Sequence, residues 1–455
     1  MNIYWNNRHG RIFTELIKNF HKAGIRYFIL RNYEGLPNQN TSKDVDIIID
    51  PMKIRRANDI IVEIYRQHGF THHYLVRFSW VYCWHAMDII NHQSIHIDLI
   101  AGYRMKGYEV FTFDELYAQT IEYKDFRVLN RYYEGLMVFI YKQFGYKNPI
   151  LKQEYKDIIS YIYKTYPEFE KDLYKIIGRD VSAKIIEAIR IGNFDKMLGY
   201  TNVLSSRLKR YSFKKAPFGV SVRWILFYWF KFQRIMLCKS CYIKSFSVMA
   251  PDGAGKTTFL NALLDEIDFY FTKETGYGHV YHFRPTILPN LGAIGEKAGM
   301  MKQDKNFTTP HRAKPANKIS SFIRLVYYWM DYVIGWHLIT PSDIQFDRFT
   351  IFDRYAYDII VDPGRTRLNL PKWVRKIFVH LMPEPNISFY INVEPNEIYR
   401  RKQELELDEI TRQVTEYKKL AASHKRIIIL DGNRPVEEIV KDAIIILLNK
   451  FTFKN

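Results

Sequence analysis

The sequence predicts an α/β protein of two units in tandem: an N-terminal α+β sheet with a helical subdomain behind it, and a C-terminal parallel sheet with helices on both faces. Three observations predict this. At 455 residues the chain exceeds what one hydrophobic core usually organises. Residues 1 to about 115 and again 246 to 455 alternate short β-rich runs with runs of helical spacing, whereas the stretch between them is helical. Finally, "APDGAGKTT", residues 250–258, joins an apolar run to an amphipathic one, which puts a glycine-rich turn between a strand and a helix.

Each element follows in order. "RIFTELIKNFHKAGI" has helical spacing, and "RYFILRNY" and "DVDIIID" are strands broken by "EGLPNQNTS". "WVYCWHAMDII" and "SIHIDLI", separated by "NHQ", suit an antiparallel hairpin. These runs make up a first domain, residues 1–115. Residues 116–202 form the helical subdomain, with apolar positions three and four apart in "EGLMVFIYKQFGY", "YKDIISYIYKTY" and "SAKIIEAIRI". Residues 203–245 are basic and aromatic and read as a connector. In 246–455 the strands "SFSVMA", "HVYHF", "FTIFD", "ISFYINV" and "RIIILD" alternate with helices, which implies crossover connections and a parallel sheet.

Composition narrows the partners. The formal charge of +19 favours nucleotides, nucleic acid, phosphorylated metabolites or an anionic membrane. Three cysteines are too few for a disulfide framework, and the N-terminal run lacks the apolar core of a signal peptide, so the cytoplasm is the expected compartment. Cys238 and Cys241 form a lone C-x-x-C with no second pair to complete a zinc tetrahedron, and read as coincidence. "VSVRWILFYWFKFQRIML", residues 220–237, is interrupted by Arg223, Lys231 and Arg234 and is not expected to span a bilayer. Three readings of the connector stay open: an interdomain helix, a helix lying on a membrane surface, and a nucleic-acid contact, the last being disfavoured.

The glycine run matches G-x-x-x-x-G-K-[ST] except that Ala250 stands at the first glycine. Asp252, Gly253, Ala254, Gly255, Lys256, Thr257 and Thr258 are the expected cradle for ATP. The glycines let backbone amides face the phosphates, Lys256 reaches the β and γ oxygens, and Thr257 offers its hydroxyl to Mg²⁺. In "TIFDRY", Asp353 ends a neighbouring strand where it can order the metal, and Arg354 beside it can grip a phosphate.

On these residues the C-terminal portion resembles the thymidylate-kinase-like branch of the nucleoside-monophosphate kinases. "PDGAGKTT" resembles that family's phosphate loop and "DRY" at 353–355 its Asp-Arg pair. "YHFRPTILP" at 281–289 lies where the family carries an acceptor-phosphate arginine, and "YRRKQELELDEI" lies at its basic lid. The resemblance implies ATP and Mg²⁺ on Lys256 and Thr257, Asp353 orienting metal or acceptor, and Arg284 gripping an anionic acceptor. Arg400, Arg401 and Lys402 would supply lid charge. Thr286 and Ile287 replace the family's glycine pair, and Asp331 is followed by Tyr332 where the family has arginine, which points to an acceptor other than thymidylate. "HFRPTILPNLG" and "FDRYAYDIIVDPGRTR" also resemble large thymidylate-kinase-like proteins of bacterial surface-polysaccharide regions. The expected activity is transfer of a γ-phosphoryl to a small anionic or hydroxyl acceptor.

In the N-terminal part, Asp44 and Asp46 sit two apart on a strand, so both point to one face, and Asp98 of the hairpin can converge on them. Three such carboxylates suit a metal site. The pattern resembles the nucleotidyltransferase fold, with Gly35 and Ser42 near the expected triphosphate turn. An active enzyme, an inactive substrate-binding version and a solvated strand end all remain open. His85, His92 and His96 flank the hairpin as polar decoration. Two further functions stay in view, a nucleotidyltransferase with a regulatory phosphate loop and a nucleotide-regulated binding module, and the oligomeric state is open.

Overall fold

The computed structural model describes residues 5–40, 42–145, 151–236, 244–271, 276, 278–289 and 316–454. Two compact units divide the chain, Met1–Gln233 with Lys454–Asn455, and Arg234–Phe453. The Cys238–Cys241 pair lies outside the described residues. Among those described, no helix is long and apolar enough to cross a membrane.

The N-terminal unit begins α1 (Asn7–Lys22), β1 (Tyr27–Ile29), β2 (Asp44–Ile49), α2 (Ile54–Gln67), β3 (His72–Phe78), β4 (Val81–Asp88) and β5 (Gln93–Ala101). The Asn6 side chain caps α1, accepting from the Arg8 amide at 3.0 Å. After α3 (Phe113–Tyr117) come β6 (Thr120–Tyr123) and β7 (Phe126–Leu129). The strands run in the order β3-β4-β5-β2-β1-β7-β6. Pairs β2–β5 and β1–β7 are parallel and the others antiparallel. The β6–β7 hairpin corrects the expectation that residues 116–202 are helical throughout. Period-two alternation then sorts β2. Val45, Ile47 and Ile49 join the core under α1 and α2, leaving Asp44, Asp46 and Ile48 on the other face.

Helices α4 (Arg131–Gly145), α5 (Gln153–Thr165), α6 (Glu168–Ile177), α7 (Arg179–Arg190), α8 (Phe194–Leu198) and α9 (Thr201–Lys215) gather a second core. Leu136, Ile159, Leu173, Ile185, Leu204 and Leu208 lie within it. Helix α10 (Pro217–Met236) follows, so the basic aromatic connector is largely two helices, α9 and α10.

The C-terminal unit holds β8 (Lys244–Met249), α11 (Lys256–Phe271), β9 (Gly278–His282), α12 (Lys318–Phe346), β10 (Phe349–Asp353), α13 (Asp358–Val361), α14 (Lys372–His380) and β11 (Ile387–Asn392). It closes with α15 (Pro395–Arg401), α16 (Leu407–Ser423), β12 (Ile427–Asp431) and α17 (Val436–Phe451). Its five-stranded sheet has the order β12-β11-β8-β10-β9, every pair parallel. Alternation explains the two helical layers. Phe246, Phe349 and Phe389 pack towards α11 and α17, where they meet Phe259, Phe271 and Phe451. Met249, Phe352 and Tyr390 point the other way, into a core with Tyr332 and Trp336 of α12 and Tyr417 of α16. The strand–helix alternation read from the sequence is therefore an open, doubly covered parallel sheet.

Candidate active site

The chain leaves the central strand β8 towards β9 and β10 on one side and later towards β11 and β12 on the other. The carboxyl end of β8 is thus the switch point of the sheet, where α/β folds open a ligand crevice. Residues 250–255 turn there into α11. Gly253 and Gly255 have φ of +88° and +83°, a region costly for side-chain-bearing residues. A Cβ on Gly253 would also lie 3.0 Å from Lys402 Cβ. The first motif position tolerates Ala250 because that residue is fully buried with ordinary backbone.

Lys256 opens α11 and its Nζ bonds Asp353 Oδ1. Asp353 ends β10, in register with Val248 of β8 and His282 of β9. His282 Nδ1 lies 3.0 Å from the other carboxylate oxygen, Oδ2. Burial pushes the Asp353 carboxyl up, but hydrogen bonds from His282 and Lys256 and their charges outweigh it and hold the group well below the usual carboxylate range. Burial, with the Arg354 charge behind it, draws the Lys256 ammonium below its ordinary value against the pull of Asp353. Thr257 and Thr258 are exposed on the first turn of α11.

Arg354, expected on a phosphate, is paired within the protein. It takes φ +72°, donates its amide to the Val248 carbonyl at 2.9 Å, and buries its guanidinium between two carboxylates. Nη1 bonds Asp358 at 2.8 Å and Nη2 bonds Asp252. Asp358 also accepts from Tyr417 at 2.7 Å, and Asp252 from Arg365. Burial would raise Asp252, yet the Arg354 and Arg365 charges keep its carboxyl below its ordinary value. The phosphate loop is thereby tied to β10, α13 and α16 through charge-assisted bonds.

Arg284, expected on the acceptor, is also paired within the protein. Its Nη1 bonds the fully buried Asp331 at 2.8 Å, and it donates to the Leu288 and Pro289 carbonyls at 3.3 and 3.4 Å. Asp331 accepts further bonds from the Thr286 and Leu288 amides, at 3.1 and 2.7 Å. An arginine so buried and paired shapes the 283–289 loop before it can meet a ligand. Arg401, the last residue of α15, remains half-exposed. Its Nε bonds Glu397 at 2.8 Å, and a Cβ on Gly255 would lie 3.9 Å from its Nη1. Arg400 pairs with the same Glu397, whose carboxyl these two arginines pull down to about 2.

A second constellation lies in the N-terminal unit. The parallel register of β2 and β5 sets Asp46 opposite Asp98 and Asp44 opposite His96. Carboxylate oxygens of Asp44, Asp46 and Asp98 all lie within 4.8 Å of one another. Ser42 Oγ donates to Asp44 at 2.6 Å, and Arg31 reaches Asp46 at 3.4 Å and Tyr155 Oη at 2.7 Å. Arg31 also lines a neighbouring cavity of about 470 Å³ with Arg131, Glu134 and Tyr155.

Sequence reasoning missed His282 and Arg365. The first had a usable signal, as a polar residue near the end of the predicted strand "HVYHF". The second, on a loop 113 residues from Asp252, had none. No match was found among curated proteins. Residues 314–444 match the family described as thymidylate kinase, a span that takes in Asp331, Asp353, Arg354 and Arg401 and begins beyond the 250–258 loop, and the all-parallel five-stranded sheet of this unit is consistent with a kinase-like fold.

Proposed function

We propose that the C-terminal unit is an ATP- and Mg²⁺-dependent phosphotransferase that moves the γ-phosphoryl to a small anionic or hydroxyl acceptor, such as a nucleotide, a sugar or a glycan precursor. The observation that carries this is the Lys256–Asp353 pair, an ammonium and an ionised carboxylate set together at the switch point under a loop with two positive-φ glycines. The donor set fits Mg·ATP. Residues 252–258 would hold the triphosphate, with Lys256 turning from Asp353 to a phosphate oxygen, while Thr257 and Asp353 would hold the metal. Bound Mg²⁺ would supply positive charge to offset that on the phosphoryl oxygens.

The chain's own residues do the rest. Arg354 and Arg365 fix Asp252, and with it the entry to the loop. Arg401, half-exposed beside Gly255, supplies mobile positive charge where negative charge develops on the transferring group. Arg284 keeps the acceptor loop in shape through Asp331, which makes it a positioning residue. The test is transfer of γ-labelled phosphate from ATP to a panel of nucleoside monophosphates, sugars and sugar phosphates. Transfer by wild type that vanishes in Lys256→Ala supports the reading, and undiminished transfer by that variant overturns it.

The convergence of Asp44, Asp46 and Asp98 favours a second reading, a divalent-cation site in the N-terminal unit serving nucleotidyl transfer. Incorporation of α-labelled nucleotide that is lost in Asp44→Asn and kept in Lys256→Ala would establish it, with the phosphate-loop unit then regulatory.

A further inference from the structure

Helix α10 is inside out. Its arginines face the protein: Arg223 donates to the Gly107 carbonyl at 3.1 Å and pairs with Glu109 at 3.6 Å, and Arg234 is buried against the Ile344 carbonyl at 2.8 Å. Between them, Phe227 packs on Trp80 at 5.8 Å, and Arg77 lies 5.1 Å over the Phe230 ring. The seat is close, because Gly107 has φ +90° and a Cβ there would stand 2.7 Å from the Trp224 nitrogen. With that face committed, the outward face is left to Phe218, Ile225, Leu226, Trp229 and Phe232, at 82, 61, 55, 53 and 45% exposure. Contiguous apolar surface of this kind marks an interaction site.

Charge selects the partner. From Lys196 to Pro251 the chain carries eleven lysines and arginines and neither aspartate nor glutamate. Exposed Arg210 and Lys214 of α9 flank exposed Phe213 just before α10, and Lys231 is exposed among its aromatics. A second copy of a chain with net charge +19 would bring the same basic run against itself. Nucleic acid would need cations along the helix to follow a phosphate backbone, whereas of the three cations of α10 only Lys231 is exposed and the rings share their face with Val222, Ile225 and Leu226. No described helix can cross a bilayer. Aliphatic and aromatic side chains rimmed by cations suit the boundary between anionic headgroups and acyl chains, where a helix about 30 Å long can lie in the plane.

We propose that α10 docks this protein on the surface of an anionic phospholipid membrane, with its outer face immersed and Arg210, Lys214 and Lys231 at headgroup level. This does not depend on the phosphotransfer reading, so activity is not the readout. The experiment is sedimentation of the full chain with vesicles of phosphatidylcholine alone and of phosphatidylcholine with phosphatidylglycerol. Partition onto the anionic vesicles is expected, weakening with salt. The double variant Ile225→Glu/Trp229→Glu should lose about 100-fold or more in partition at unchanged far-ultraviolet circular dichroism. The milder Lys231→Gln should lose about fivefold. Any of four results overturns the proposal. They are no partition onto anionic vesicles, partition that the double variant leaves unchanged, a lipid-free dimer that the double variant dissolves, and saturable RNA binding that the double variant abolishes.

Discussion

The two carboxylate centres of this chain are built in opposite ways. In the C-terminal crevice each carboxylate meets a cation of the protein: Asp353 meets Lys256, Asp252 meets Arg354 and Arg365, and Asp331 meets Arg284. In the N-terminal unit three carboxylates bring their oxygens within 4.8 Å of one another, and Arg31 approaches Asp46 at 3.4 Å. Internal cations stabilise the first arrangement without a ligand and make binding an exchange of partners. Crowding of three carboxylates in the second leaves room for a cation from outside to add to what Arg31 supplies. On this comparison, a phosphate ligand should compete with Asp353 for Lys256, and a metal should relieve the aspartate cluster.

The largest expected effect breaks the first centre at its pivot. Lys256→Ala should lower γ-phosphoryl transfer by about 10³-fold or more, because it removes a charge aimed at the transferring group in a largely buried site. The same variant should still fold, which circular dichroism and a cooperative thermal transition would check. Next is the acceptor side. Arg284→Met strands Asp331 as a buried charge and should cost about 3–5 kcal/mol of stability in urea unfolding. If Arg284 instead meets the acceptor directly, KM rises and the unfolding midpoint stays where it was.

How much was legible depended on whether a feature is local. The strand–loop–helix of residues 244–271 is continuous in sequence, so its glycines, Lys256 and Thr257 could be read together. Asp353 was legible because a β-branched run ended in an acid. The pairing of Arg284 with Asp331, 47 residues away, was not, and neither was the burial of Arg354 between Asp252 and Asp358. An arginine in a motif looks the same whether its partner is a substrate or an aspartate brought in by the fold. Strand β3, "HHYLVRF", and the β6–β7 hairpin were missed because their alternation is short or mixed and their stability comes from neighbouring strands. For Asp44, Asp46 and Asp98 the spacing showed which residues share a face, while their convergence rests on the parallel β2–β5 register, a tertiary fact.

A smaller effect tests the aspartate cluster as a cation site. Saturating Mg²⁺ or Mn²⁺, at about 100 times its dissociation constant, should stabilise the N-terminal unit by about 2.7 kcal/mol. Asp98→Asn should shrink that gain while raising the thermal midpoint in the presence of a chelator, since one of three neighbouring charges is gone. A cation response untouched by Asp98→Asn, or one that moves only with Asp353→Asn, would place the metal in the other unit.

The smallest effect sets the units against each other by sign. Asp353 has a carboxyl held below its unfolded value. The unfolded chain therefore binds the proton first, and the stabilisation is full above about pH 4 and is lost as pH falls towards the folded value. Glu134, in the N-terminal unit, runs the other way. Burial lifts its carboxyl against the opposing pull of Arg131, so the folded state keeps the proton longer and stability falls as pH rises through the interval above about pH 4. Each group contributes a slope of at most about 1.4 kcal/mol per pH unit within its own window. Stability measured against pH should thus fall less steeply below pH 4 in Asp353→Asn and lose a shallow decline above it in Glu134→Gln. If the two substitutions changed the profile with the same sign, the contrast between a carboxyl lowered by its cations and one raised by burial would fail, because only opposite proton uptake on unfolding can give slopes of opposite sign.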